Sequence, residues 1–161
     1  MTNNDQLHPQ TPAPEVVLSN DKGERVSLSN YKGQKTLIVF FMRAFNCMQC
    51  RQFVKKMAEN APPLAAKNIQ SIVIGPGTRQ EAERLVRSLN TPPELVVLHD
   101  TDGEAYNTFS LDKAFLSLVQ KSGLFLIDQE GILQSAIITA NANRWISGRA
   151  LEDLKKELAN T

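Results

Sequence analysis

The chain has two cysteines, and they stand together as Cys47-Met48-Gln49-Cys50. Residues three apart on a helix share a face, so a helical start here brings the two sulfurs within disulfide reach with little backbone movement. A pair so placed suits thiol–disulfide exchange, in which one thiolate attacks and the other thiol resolves. The other readings are physically weaker. A permanent bridge would close a tiny loop and constrain little of the unfolded chain. Zinc needs four ligands, and only His8 in a polar tail and His99 at the end of a distant strand are left to supply the others. A buried, inert pair is the third alternative. No metal site is expected.

The flanking residues must position this pair. Leu37-Ile38-Val39-Phe40-Phe41 is a short, dense run of β-branched and aromatic residues, the pattern of a strand buried on both faces. After the cysteines the period changes. Cys50, Phe53, Val54 and Met57 fall at i, i+3, i+4 and i+7, one face of an amphipathic helix. The CxxC therefore sits where a strand turns into a helix. Unpaired N–H groups and the positive end of the helix dipole collect there, and they favour the thiolate, which is the reactive form. Cys50 leads the apolar stripe and is expected to be the more buried sulfur, hence the resolver. Cys47 begins the turn and is expected to be the more exposed sulfur, hence the attacker. Arg43 is the only charged residue between strand and CxxC and is expected to favour the thiolate, directly or through the loop it anchors. Arg51 is a second cation near enough to add to the effect. The candidate catalytic residues are Cys47, Cys50 and Arg43.

The rest of the chain reads as one domain. Residues 1–14 are polar, with Pro9, Pro12 and Pro14, and read as a flexible arm ahead of a single domain over 15–161. Glu15–Leu18 and Arg25–Leu28 read as strands of an N-terminal hairpin around Asn20-Asp21-Lys22-Gly23. Pro62 and Pro63 are expected to interrupt the CxxC helix. Gln70–Ile74 is a second buried strand. Gly75-Pro76-Gly77 reads as a tight turn into a helix opened by a Thr78/Glu81 capping box. Leu95–Leu98 is a third strand, Asp100–Gly103 a turn, and Glu104–Phe109 a short helix. Leu111–Gln120 is apolar and irregular. Leu124–Ile127 and Ile132–Thr139 pair as a hairpin across Asp128–Gly131. Ala140–Ser147 is a polar loop holding the only tryptophan, Trp145, and Leu151, Leu154 and Leu158 mark a last helix. This order predicts an α/β thioredoxin-like sandwich with an N-terminal β-hairpin extension. The CxxC then lies at the carboxyl end of a central strand.

Composition narrows the function classes. The chain has 161 residues, 42% of them apolar and 22% charged, with a formal net charge of +1. That balance gives no electrostatic case for nucleic acid or an anionic membrane. No apolar stretch approaches a membrane span, and Met1–Gln10 lacks the apolar core of a signal peptide. Two cysteines confined to one CxxC fit a reducing, cytoplasmic setting.

Several segments, in order, resemble the alkyl hydroperoxide reductase/thiol-specific antioxidant proteins, the peroxiredoxin-like group of thioredoxin fold. Phe41 to Arg51 is similar to the F-x-R-x-x-x-C-x-x-C-[RK] of the branch that includes prostamide/prostaglandin F synthase-like proteins. Val73 to Thr78, Asp100 to Tyr106 and Gly123 to Gly131 are similar to its I-G-x-G-[ST], D-P-D-x-x-x-Y and G-x-F-[VI]-I-D-x-x-G segments. The resemblance implies a thiol-dependent oxidoreductase that reduces disulfides or hydroperoxides by cycling Cys47–Cys50. It also implies an external reductant of thioredoxin or glutathione type and no tightly bound cofactor. A reading from another class is a thioredoxin-fold module whose dithiol senses without turnover. In the family's PxxxTxxC register, Cys50 falls on the peroxide-reactive cysteine, Cys47 on the Thr and Arg43 on the Pro. That register assigns attack to Cys50, opposite to the geometric argument, which is the one preferred for disulfides. Ser122 stands where peroxiredoxins often carry Arg and thioredoxins a cis-Pro.

Overall fold

The computed structural model describes residues 7–113 and 118–160. Its axis is β3 (Thr36–Phe41), whose Ile38, Val39, Phe40 and Phe41 are wholly enclosed. Burial on both faces follows from its place in the sheet. β3 pairs in parallel with β4 (Ile69–Pro76) on one side and antiparallel with β6 (Ser122–Ile127) on the other. β4 pairs in parallel with β5 (Leu95–Asp100). The N-terminal hairpin of β1 (Val17–Asn20) and β2 (Arg25–Ser27) extends the β5 edge, and β7 (Leu133–Thr139) extends β6. The full order is β2-β1-β5-β4-β3-β6-β7.

Helices cover both faces. Alternate residues of β3 divide between two cores, as a period of two requires. Ile38, Phe40 and Met42 join α1 (Met48–Ala65), α2 (Arg79–Leu89) and α4 (Arg149–Ala159) on one side. Leu37, Val39 and Phe41 join α3 (Glu104–Thr108), with Tyr106 and Phe109, on the other. This is the expected thioredoxin-like sandwich with its hairpin extension. Among the described residues no helix is long and apolar enough to cross a membrane.

The structure departs from the sequence reading at several places. α1 runs unbroken through Pro62 and Pro63. Both prolines lie on its exposed side in the last turns, where a carbonyl left without a donor can face water. β1 begins at Val17, because the Glu15 carboxylate instead accepts from the Ser29 N–H and the Ser27 hydroxyl at the connector. From Leu7 onward the expected arm is pinned to the last hairpin. Gln10 N–H donates to Leu133 O, Ala13 N–H to Gly131 O, and Leu133 N–H to Thr11 O. Gly75 lies inside β4 rather than in a turn, and Asp100 is the buried last residue of β5. Trp145, expected in a polar loop, closes a short 3-10 turn (Ala142–Trp145) and is completely buried. Of the irregular stretch Leu111–Gln120, residues 114–117 fall outside the described residues.

Candidate active site

β3 delivers the chain at Met42, whose N–H still bonds Ile74 O on β4. The link over Arg43–Asn46 then turns, with Cys47 N–H donating to Ala44 O. Cys47 has extended backbone angles and is the N-cap of α1. Its Sγ takes the place of the usual capping oxygen and accepts from the Cys50 N–H at 3.4 Å. A sulfur so placed faces one of the unpaired donors at the positive helix end. The Cys47 thiol in turn donates to Gln49 Oε1 at 3.5 Å, and Gln49 Nε2 donates to Asn143 Oδ1 at 3.3 Å. Both thiols are free.

Cys50 has a different environment one turn on. It faces inward with Phe53, Val54 and Met57, as its stripe predicts. Behind it Phe40, Phe53 and Trp145 pack with ring centroids 4.6 to 5.1 Å apart. The Trp145 indole N–H donates to Ser122 Oγ at 2.8 Å. Ser122, the position that lacks the Arg or cis-Pro of related folds, thus anchors the wall behind the site. The described residues contain no cis peptide. Burial pushes the Cys50 thiol up to about 12. The Arg43 backbone N–H, 3.3 Å from Cys50 Sγ, opposes that rise, while the hydrogen bond and charge of Cys47 add to it. The positive charge of Arg43 is a smaller opposing effect.

Two expectations are refined here. Cys47 is the more exposed sulfur, as expected, but the difference is small and both thiols are buried, at 4% against 0% for Cys50. The asymmetry between the sulfurs lies in hydrogen bonding and electrostatics instead. Arg43 does touch the pair, but its backbone contact is with Cys50 rather than Cys47. Arg51 is turned to structural work, its guanidinium donating to Phe45 O at 3.4 Å and Ser88 Oγ at 2.6 Å. Sequence reasoning missed Gln49 and Asn143. Gln49 lies between the cysteines, and Asn143 lies two residues from the lone tryptophan, but nothing in their spacing shows that they meet. Among the described residues no group of three or more His, Cys, Asp or Glu is placed to hold a metal.

The link is itself held from behind. Tyr106, fully buried on the opposite face, donates its hydroxyl to Met42 O at 2.5 Å and Ile74 O at 3.0 Å. Burial, with the charges of Asp100 and Cys50, raises its pKa well above the ordinary phenol value, so the hydroxyl remains a donor. The Tyr106 backbone N–H donates to Asp100 Oδ2 at 3.1 Å. The Asp100–Tyr106 segment therefore fixes the strand end that carries Arg43.

Comparison with known proteins bears on the family and the fold. The AhpC/TSA family model matches residues 9–136. Prostamide/prostaglandin F synthase of Salmo salar is 33% identical over 60 residues, 37% of this chain. The match spans only 30% of that protein's own length. Among solved structures, peroxidoxin BcpB of Mycobacterium tuberculosis superposes with a TM-score of 0.77 at 16% identity, covering 92% of this chain and 98% of that one. A protein described as a DsbE-type thiol:disulfide interchange protein, from Chlorobium tepidum, gives 0.70 at 23% identity, covering 91% and 94%. At these identities the structures show a shared fold alone. The family match over most of the chain shows more: this protein belongs to the AhpC/TSA family, with the thioredoxin-like peroxiredoxin fold.

Proposed function

We propose that the protein reduces disulfides or hydroperoxides by cycling Cys47 and Cys50 between dithiol and disulfide, with Cys47 the attacking sulfur. The observation that carries this is the placement of Cys47 Sγ at the N-cap of α1, against the Cys50 N–H. Cys50 is sealed inside, with its thiol pushed up to about 12. On a disulfide, the Cys47 thiolate forms a new S–S bond and the leaving sulfur takes the electron pair of the broken one, then a proton. Cys50 next attacks Cys47 Sγ, closing the internal disulfide and releasing the second thiol. On a hydroperoxide, Cys47 takes one oxygen to become a sulfenic acid and the alcohol leaves. Cys50 then displaces that oxygen as water. An external dithiol of thioredoxin type returns two electrons and two protons.

The elevated Cys50 thiol suits the second step. Two of the effects that raise it, the hydrogen bond that the Cys50 thiol gives to Cys47 and the charge of Cys47, vanish once Cys47 is in a mixed disulfide. The Arg43 N–H remains to stabilise the resolving thiolate, which gives Arg43 a role at the resolver.

The test uses Cys47→Ser and Cys50→Ser separately with a mixed-disulfide probe. Cys50→Ser should trap the adduct on Cys47 quickly, and Cys47→Ser should react slowly. Faster reaction by Cys47→Ser would reverse the assignment and favour the PxxxTxxC register. Steady turnover of hydrogen peroxide, an organic hydroperoxide or a model disulfide with thioredoxin separates an enzyme from a sensing module. The relative rates name the substrate class.

A further inference from the structure

We propose that the Gln49 side-chain amide, oriented by Asn143, is a two-state hydrogen-bond partner for Cys47, accepting from the thiol and turning to donate to the thiolate. The proposal rests on the reading of Cys47 as a reactive thiol. In the structure Cys47 Sγ accepts from the Cys50 N–H at 3.4 Å and donates to Gln49 Oε1 at 3.5 Å. Ionisation sends the S–H proton to solvent and leaves the electron pair on sulfur. The sulfur then has nothing to donate, and a carbonyl oxygen in its old position would face a negative charge. An amide resolves this conflict. Its oxygen and NH2 ends are nearly the same size, and a half-turn about the last side-chain torsion exchanges acceptor for donor without displacing the group.

The half-turn requires a partner that can also exchange roles, and Asn143 is one. In the thiol state Gln49 Nε2 donates to Asn143 Oδ1 at 3.3 Å. In the thiolate state Gln49 presents its oxygen, and a turned Asn143 amide presents its NH2. Asn143 is firmly based. Its N–H donates to Asn141 Oδ1, its carbonyl accepts from Ile146 N–H, and the neighbouring Trp145 is tied to Ser122. Gln49 is half-buried and its bond with Cys47 is partly sheltered from water, while Asn143 and the bond between the two amides are exposed. Gln49 touches the reacting sulfur; Asn143 acts through it and is a positioning residue.

The sign of one measurement decides the matter. A fixed Gln49 that only accepts would stabilise the thiol, so removing it would lower the pH at which Cys47 ionises. A turning Gln49 forms its stronger, charge-assisted bond with the thiolate, so removing it raises that pH. The experiment follows the ultraviolet absorbance of the thiolate against pH in Cys50→Ser protein, where Cys47 is the only thiol. It therefore reads the relay whichever sulfur attacks first, and failure of the proposed catalytic cycle would leave it intact. Gln49→Met should raise the midpoint by about half to one pH unit, a three- to tenfold loss of thiolate well below the midpoint. Asn143→Asp can only accept, which holds Gln49 in its thiol orientation. It should also raise the midpoint, and the rise should persist in high salt, where the added surface charge is screened. Asn143→Ala, which frees the amide, should shift it less than Asn143→Asp. Urea midpoints equal to the parent establish that each variant is folded. A midpoint that falls or stays put in Gln49→Met, or Asn143→Asp indistinguishable from Asn143→Ala in high salt, overturns the proposal.

Discussion

Replacing Gly75 with alanine should disturb the site without touching a sulfur. Gly75 lies in β4, paired with His99, and the tip of the Phe45 ring occupies the space that a side chain at this position would take. A β-carbon there would stand 2.2, 2.3 and 2.6 Å from three atoms of that ring. Carbon atoms pack at about 3.5 to 4.0 Å, so the ring must withdraw by roughly 1.3 Å or more. It has little room, being 4% exposed within the core beneath α1. Its carbonyl is also held by Arg51, which ties the link to α1 and, through Ser88, to α2. Overpacking of this kind costs about 1 to 3 kcal/mol. Urea denaturation should show it as a lower midpoint with an unchanged m-value. Phe45 stands two residues before Cys47, so its displacement should also slow the reaction of Cys47 with a mixed-disulfide probe. Trimming the ring should relieve the clash. Gly75→Ala combined with Phe45→Leu should be more stable than the two single costs added together, with a coupling of about 0.5 to 3 kcal/mol. If Gly75→Ala costs less than about 0.5 kcal/mol, or the pair is strictly additive, then the Phe45–Gly75 contact does not hold the link and the reasoning fails.

Ser122→Ala should lower stability by about 1 to 3 kcal/mol, measured in urea, because it strips the buried Trp145 indole of its acceptor. Tyr106→Phe should cost a similar ~1 to 3 kcal/mol, because Met42 O loses the phenolic donor; it should also slow probe capture by Cys47, and a variant as fast and stable as the parent would show that the strand end holds itself. Burial, reinforced by Asp102 and opposed by the Tyr106 N–H, raises the Asp100 pKa above its ordinary value, so the folded protein holds that proton more tightly than the unfolded chain. The stabilisation is complete below the ordinary carboxyl pKa and is lost as pH rises through the folded value. Asp100→Asn should therefore flatten the fall of stability with pH over that interval, checked by urea midpoints across a pH series; an unchanged slope would locate the effect elsewhere.

Much of the frame is legible in the sequence because it follows from periodicity and local capping. The β3 run, the stripe from Cys50 to Met57 and the Thr78/Glu81 box each declare themselves within a few residues, and each is realised. Contacts between distant segments are not declared in this way. Gly75 beside Pro76 and Gly77 has the chemistry of a turn, yet its smallness serves a ring 30 positions earlier in the chain. Asp100 in an Asp-Thr-Asp-Gly string also reads as a turn, but Tyr106 draws it into the strand end. Trp145 sits among polar residues, and only the space behind Phe40 and Phe53, with Ser122 as acceptor, explains its burial. The order of exposure of the two sulfurs is legible, but how deeply Cys47 is buried is not, since a turn looks open until the segments folded beside it are known.

The two sulfurs carry the same functional group and differ by one helical turn, so any difference in reactivity must come from what surrounds them. Helix geometry supplies the first difference: the N-cap sulfur meets an N–H of the helix start, while the sulfur three residues later points along the buried stripe. Packing supplies the second, since the aromatic wall of Phe40, Phe53 and Trp145 lies behind Cys50. The two differences reinforce one another. Burial keeps Cys50 protonated while Cys47 is free, which protects the reduced pair from losing both protons at once and repelling itself. In the proposed cycle, bonding of Cys47 to a substrate would remove its charge and its acceptor sulfur from beside Cys50, leaving a buried resolver one helical turn from the sulfur it attacks. In the proposed cycle the order of reaction is thus set by the position of the pair on one helix: the first step would create the electrostatic condition for the second, with the Arg43 backbone N–H beside Cys50.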